Sequence, residues 1–239
     1  VVDQVRGRVP VVVNTGAPGT DLAVFYSQRA QELGADAVMV MPPSFIPATP
    51  QETRSYFKAI SDAITIPIVI QDHPNGPVPP SLVRQIRDES PRALYCKVET
   101  PPTPSRVAQA VQECAGRVTI MGGAGGNFLI EELRRGSLGT MPSCSQPSAY
   151  VRIWNRFRAG DEEGATRIFY EEVLPLNRLS ASGMGAFYQV NKELLVRLGV
   201  IKSAYVRPPF TPLDEVTRKE MDAVLERIVQ YESSPRGRM

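Results

Sequence analysis

Histidine is almost missing from this chain: His73 is the only one in 239 residues, and cysteine is confined to Cys96, Cys114 and Cys144. One histidine and three cysteines without CxxC spacing cannot assemble the usual structural zinc cluster, so no metal site is expected. An odd, scattered set of cysteines is not a disulfide framework either. A Ser-His-Asp triad would have to use His73, and the GxSxG turn that presents such a serine does not occur. No apolar run approaches the ~20 residues that span a bilayer. The opening stretch VVDQVRGRVPVVV is broken by charges and followed by no cleavage-like segment, which argues against a signal peptide and for a cytoplasmic enzyme. Excess charge is lacking too. Lys and Arg number 27 against 25 Asp and Glu, a net charge of +2. The basic residues are scattered, so neither nucleic acid nor a membrane surface is an expected partner. The one dense basic run, SSPRGRM at the C-terminus, reads as a frayed end. The G-x-G-x-x-G fingerprint is absent as well, and the first strand-to-helix turn, NTGAPGTD, has only two glycines. A dinucleotide is therefore weakly supported, and no cofactor is expected.

What is present is a regular alternation. Apolar, β-branched runs predict strands over residues 9–14, 37–41, 66–71, 93–99, 118–123 and 137–142. Between them lie amphipathic stretches with helix signals. Thr20 or Asp21 caps a helix that Gly34 stops, Pro50-Gln51-Glu52 opens one to about Ile64, and residues 81–89, 105–114 and 127–135 supply three more. Strands alternating with helices imply a parallel sheet with right-handed crossovers, either an open doubly wound sheet or a closed barrel. The strands are apolar throughout, as befits a sheet buried on both faces. From Tyr150 the pattern turns wholly helical: 150–160, a stretch capped by Asp161 to Leu176, 184–198, and a last helix from Leu213 or Asp214 to about Tyr231. The expected organisation is a βα part over residues 1–149 and a helical part over 150–239.

Charged residues at strand ends carry the chemistry. Side chains alternate along a strand, so Tyr95, Lys97 and Glu99 share one face of the fourth strand while Cys96 and Val98 share the other. A lysine in a buried strand is costly unless it is paired or functional. One reading is a terminal lysine ion-paired with Glu99. The other is a nucleophile, because polar residues at the carboxyl ends of barrel strands read as catalytic and an apolar surround favours the neutral amine. Gln71, Asp72 and His73 follow the third strand, with His73 as readily a loop residue as a catalytic one. GGAGGN follows the fifth strand, where the backbone of Gly122 and Gly123 could meet a carboxylate or phosphate. Cys96 is expected to face the helices as core.

The segments VPVVVNTGAPGT, GADAVMVMPP, IPIVIQDHP, YCKVETPP, the Gly-Gly pair after VTIM, and RPPFTPL, in this order, resemble the dihydrodipicolinate synthase / N-acetylneuraminate lyase family. The resemblance implies a (β/α)₈ TIM barrel with a C-terminal helical extension, usually a homotetramer, whose members form an iminium between a strand-six lysine and a 2-oxo acid. Lys97 matches that lysine. The six strands would then be numbers three to eight of the barrel. Strands one and two, roughly 50 residues at this spacing, and the family's G-[ST]-T-G-E loop are not found in the sequence. The 150–239 segment would hold the last barrel helix and the extension, and an incomplete barrel would be loosely packed and poorly active.

Two departures bear on the reaction. Gln71 stands where the family has a proton-relay tyrosine, and Pro43-Ser44-Phe45 replaces an aromatic pair that carries a phenol. An amide cannot act as an acid near neutral pH. The forms Q-D-x-P, K-[IV]-E-T-P and M-P-P resemble the branch that includes L-2-keto-3-deoxyarabonate dehydratase. The resemblance thus implies a dehydratase for a 2-keto-3-deoxy sugar acid, with Lys97 and Glu99 catalytic and Gln71, Asp72, Gly122, Gly123 and Met141 around the substrate. An aldolase releasing pyruvate and an inactive 2-oxo-acid-binding homologue are the alternatives.

Overall fold

A computed structural model describes residues 1–233; the basic tail lies outside them. The chain divides into two compact units, one of residues 1–124 and 131–141, the other of residues 125–130 and 142–239.

In the first unit a short helix α1 (Val2–Val5) precedes five strands, β1 (Val12–Asn14), β2 (Ala37–Val40), β3 (Ile68–Asp72), β4 (Ala93–Val98) and β5 (Thr119–Gly122). Helices α2 (Thr20–Glu32), α3 (Pro50–Ala63), α4 (Pro80–Glu89) and α5 (Thr103–Cys114) alternate with them. The sheet is wholly parallel with the order β1-β2-β3-β4-β5. Periodicity alone left two architectures open, and the family resemblance implied the barrel. A doubly wound sheet reverses its strand order and splits its helices between faces. Here the order is consecutive and all four crossover helices share one apolar layer with one face of the sheet. Val38, Val40, Ile68, Ile70, Cys96, Val98 and Ile120 of the strands pack there with residues of α2 to α5 such as Ala23, Phe57, Ile86 and Val107. That is the wall of a barrel. Cys96 faces the helices, and burial pushes its thiol well up.

Local chemistry explains where elements begin and stop. Thr49 caps α3 in a reciprocal box with Glu52, with Pro50 in the first turn. The sixth expected strand is shorter than its sequence suggested. Residues 137–142 make a single bridge, Thr140 to Gly122. Three backbone bonds still tie the segment to β5: Leu138 N–H to Ile120 O at 2.9 Å, Gly122 N–H to Gly139 O at 2.9 Å, and Met141 N–H to Gly122 O at 3.0 Å. Gly139, at φ 145°, takes the backbone out of the extended region and cuts the strand short. The helix expected over 127–135 is likewise reduced to α6 (Leu129–Leu133), which follows Ala124, Gly125 and Gly126, all at positive φ. On its other side β5 joins β4; at the far edge β1 pairs with β2 alone among the described residues.

The second unit is helical: α7 (Pro147–Arg158), α8 (Glu162–Ile168), α9 (Leu174–Ser180), α10 (Met184–Arg197) and α11 (Glu215–Ser233). The single helix expected from Asp161 to Leu176 is broken by a π turn over Phe169–Val173. Pro175, in the first turn of α9, offers no N–H to its preceding turn, and the wider π turn absorbs that loss. Leu176, Val190, Leu194, Met221, Leu225 and Ile228 form the core of α9, α10 and α11. No helix of the described residues is long and apolar enough to cross a membrane.

One ion pair locks the sheet to its helices. Asp72, 1% exposed, ends β3 on the helix-covered face. Its carboxylate accepts from Val78 N–H at 2.9 Å, Thr100 Oγ1 at 2.7 Å, and Arg106 Nε and Nη2 at 3.2 and 2.9 Å. Removing one partner of such a pair leaves an uncompensated charge. Arg106→Met is therefore expected to destabilise the chain by about 3–5 kcal/mol in urea unfolding. A loss below about 1 kcal/mol, the scale of an exposed pair, would show that water reaches Asp72 and that the pair does not hold β3.

Candidate active site

Parallel register aligns residues from adjacent strands into rows. Gln71 pairs with Lys97, and Lys97 with Met121, on the face opposite the helices. The next row, Asp72, Val98 and Gly122, points to the helix-covered face. Glu99 follows, its N–H donating to Asp72 O at 2.8 Å, so the β3–β4 pairing continues one residue past the strand and aims Glu99 back to the side of Lys97.

The result is a compact polar cluster on an otherwise apolar sheet. Lys97 Nζ lies 3.0 Å from Glu99 Oε1, with both side chains only 12% exposed. Gln71 Nε2 donates to Glu99 Oε2 at 2.8 Å, and Ala124 N–H donates to Glu99 Oε1 at 3.2 Å. Both carboxylate oxygens are thus held, by an ammonium, an amide and a backbone N–H. Gly123 makes the cluster possible by size. A Cβ there would stand 2.3 Å from Glu99 Cγ and 2.9 Å from Lys97 Cε. The arrangement places a proton acceptor in contact with an amine at a carboxyl strand end, the geometry an amine nucleophile requires.

The residues singled out from sequence separate into those brought together and those held elsewhere. Lys97, Glu99, Gln71 and Gly123 converge. Asp72 does not: it is buried on the opposite face, where Arg106, Thr100 and Val78 take up its oxygens. Gly122 is held elsewhere as well. Its N–H and C=O are spent on Gly139 and Met141, and its Cα faces the helix-covered side. Gly123 lies against the pair as a space-making residue, and the N–H that meets a carboxylate belongs to Ala124 and meets Glu99 itself. Met141 is placed beside Gly122 by its backbone bond. His73 sits in a turn closed on Gly76, its Nδ1 accepting from Asn75 N–H at 3.2 Å.

Sequence reasoning passed over Arg106, Thr103 and Glu132. Arg106 and Thr103 lie on a helix whose apolar periodicity gives no hint of their long-range partners. Glu132 sits in the run FLIEEL, where two adjacent carboxylates beside apolar residues were the only sign of a buried one.

Known proteins share this arrangement of strands and helices. L-2-keto-3-deoxyarabonate dehydratase of Azospirillum brasilense is 31% identical over 237 residues, 95% of this chain and 75% of that protein. A 4-hydroxy-tetrahydrodipicolinate synthase of Bartonella bacilliformis is 28% identical, over 94% of this chain and 76% of that protein. The crystal structure of YagE from Escherichia coli, solved in complex with pyruvate, superposes with a TM-score of 0.85 at 25% identity, covering 95% of this chain and 78% of that one. The sheet and helices of the first unit are accordingly those of a (β/α)₈ barrel, followed by C-terminal helices. The sequence profile of the dihydrodipicolinate synthetase family matches residues 1–228, nearly the whole length, and the chain belongs to that family.

Proposed function

We propose that this chain forms a Schiff base between Lys97 and a 2-oxo acid, and that it removes water from a 2-keto-3-deoxy sugar acid. The observation that carries the reading is the Glu99 carboxylate, 3.0 Å from Lys97 Nζ and fixed by Gln71 and Ala124. A carboxylate in contact with the amine, with an amide in place of a phenol, supplies the proton transfers that the reaction needs. The 31% identity to a 2-keto-3-deoxyarabonate dehydratase supports the same branch.

The chemistry runs as follows. Lys97 passes a proton to Glu99, and the neutral amine adds to the C2 ketone. Glu99 returns that proton to the C2 oxygen, which leaves as water, and the resulting iminium draws electrons from C3. Glu99 as carboxylate takes a C3 proton, leaving an enamine. The enamine pushes out the C4 hydroxyl, which departs as water with the proton that Glu99 returns. Hydrolysis of the unsaturated iminium frees Lys97 and releases the dehydrated 2-oxo acid. Gln71 keeps the carboxylate oriented through both transfers, and its amide neither gives nor takes a proton.

An aldolase would use the same iminium and break the C3–C4 bond instead. The likeness to YagE, described as a putative 2-dehydro-3-deoxy-D-gluconate aldolase and 25% identical over 235 residues, favours that second reading. Release of pyruvate from 2-keto-3-deoxy acids marks cleavage; its absence, with consumption of substrate, marks dehydration.

Borohydride with pyruvate or a 2-keto-3-deoxy acid is expected to add mass to the Lys97 peptide, and Lys97→Ala to abolish the adduct. Mass on another lysine, or on none, would remove the Schiff base from this site. Glu99→Gln keeps the shape but not the proton, and turnover is expected to fall by roughly 10²-fold or more, the scale of a lost general acid–base. Steady-state kinetics read the change. Turnover close to the parent's would reduce Glu99 to a structural partner of Lys97.

A further inference from the structure

Among the described residues, Glu132 is the one fully buried carboxyl group without a cation. It is 0% exposed, and its only hydrogen bond is to Oε1, from Thr103 Oγ1 at 2.6 Å. Oε2 is equally buried and has no hydrogen-bond partner, and the same holds for Thr140 Oγ1. Both atoms crowd one spot. A Cβ built on Gly122 would lie 1.8 Å from Glu132 Oε2 and 3.4 Å from Thr140 Oγ1. The Glu132 side chain therefore fills the space that Gly122 leaves open at the end of β5. It touches three chain segments there: the start of α5 just after Lys97 and Glu99, the end of β5, and the bridge segment at Thr140.

The neighbouring residue faces the other way. The position of a Gly123 Cβ is filled by Glu99 Cγ and Lys97 Cε, and Ala124 N–H donates to Glu99. The tip of β5 is thus held between two carboxyl groups, Glu99 on one face and Glu132 on the other, with two glycines admitting them. We propose that Glu132 is a positioning residue for the Lys97–Glu99 pair: from the helix-covered side it sets the end of β5, and with it the Gly123 Cα and the Ala124 N–H against which Glu99 is held. The consequence for the reaction rests on the Schiff-base reading above; the structural coupling does not.

The groups facing Glu132 set its charge. α5 offers the Thr103 hydroxyl, β5 only Gly122, the bridge segment the Thr140 hydroxyl, and its own helix the acidic Glu131. Burial pushes its acid up from an ordinary 4.5 to about 7, the Thr103 hydrogen bond opposing and the Glu131 charge adding. In the folded chain Glu132 is neutral below about 7 and ionises above it, placing an unpaired charge behind Gly122. The folded value exceeds the unfolded one, so the stabilisation it contributes is full below about 4.5 and is lost as pH rises to about 7.

The test is an amide titration by ¹⁵N NMR on the full chain from about pH 5.5 to 8.5, a window that brackets the folded value. The Gly123 and Ala124 shifts are expected to move with a midpoint near 7 in the parent and to stay flat in Glu132→Gln, which keeps the size and the neutral form. Thr103→Val removes the bond that favours the ionised form, so it should move the midpoint upward. In pyruvate trapping, the ratio of parent to Glu132→Gln rate should fall as pH passes the same midpoint, and Glu132→Ala should trap roughly tenfold more slowly or worse at every pH, the order of about 1.4 kcal/mol. Shifts that do not titrate in the parent, or that titrate alike in Glu132→Gln, overturn the inference. Amides that titrate as expected in a chain that forms no adduct at Lys97 support the positioning and overturn the Schiff-base reading instead.

Discussion

Lys97 projects from β4 with 12% of its side chain open to solvent, and an ammonium in that setting needs a counter-charge within hydrogen-bond reach. Glu99 supplies it from two residues along the chain. A carboxylate so placed has two oxygens to satisfy, and the fold provides the donors from both flanks. Gln71 reaches across from β3 and Ala124 from the turn after β5. Each requires parallel pairing in a particular register. A slip of one residue in β3 would exchange Gln71 for Asp72 or Ile70 opposite Lys97, putting a second negative charge or an apolar group where the amide now stands. The register of the sheet and the electrostatics of the cluster are in this sense one constraint.

The same two-residue alternation separates two kinds of polar group at the strand ends. On one face Gln71, Lys97 and Glu99 gather into a partly open cluster. On the other, Asp72 with Arg106, and Glu132 with Thr103, are shut into the helix layer. Asp72 adjoins Gln71, and Thr103 follows Glu99 by four residues, yet the buried set holds elements together. Asp72 ties β3 to α5, and Glu132 meets β5 from α6.

The likeness to family members is spread over nearly the full chain. Gln71 and Glu99 gather around Lys97 within a strand framework that superposes on YagE with a TM-score of 0.85. Strand order and register fix which side chains stand beside Lys97.

Much of this was legible in the residues. β-branched runs bounded by proline and glycine named five strands, because a strand buried on both faces must be apolar throughout. Asp161 fixed a helix start, since its side chain bonds the local backbone whatever surrounds it. Alternation put Lys97 and Glu99 on one face and Cys96 on the other. Other features depended on partners distant in sequence. Periodicity is the same for a barrel wall and a doubly wound sheet, and only the packing of all four crossover helices on one face decided between them. Asp72 looked available for substrate because nothing near it in the chain announces Arg106, 34 residues on. Gly122 and Gly123 look alike in sequence, and the pleat alone sends one toward Glu132 and the other toward Lys97 and Glu99. Sequence determines what bonds locally and which way a side chain alternates; tertiary structure decides which charges are neutralised across the sheet, because an ion pair or a buried acid is defined by neighbours the chain brings together only when folded.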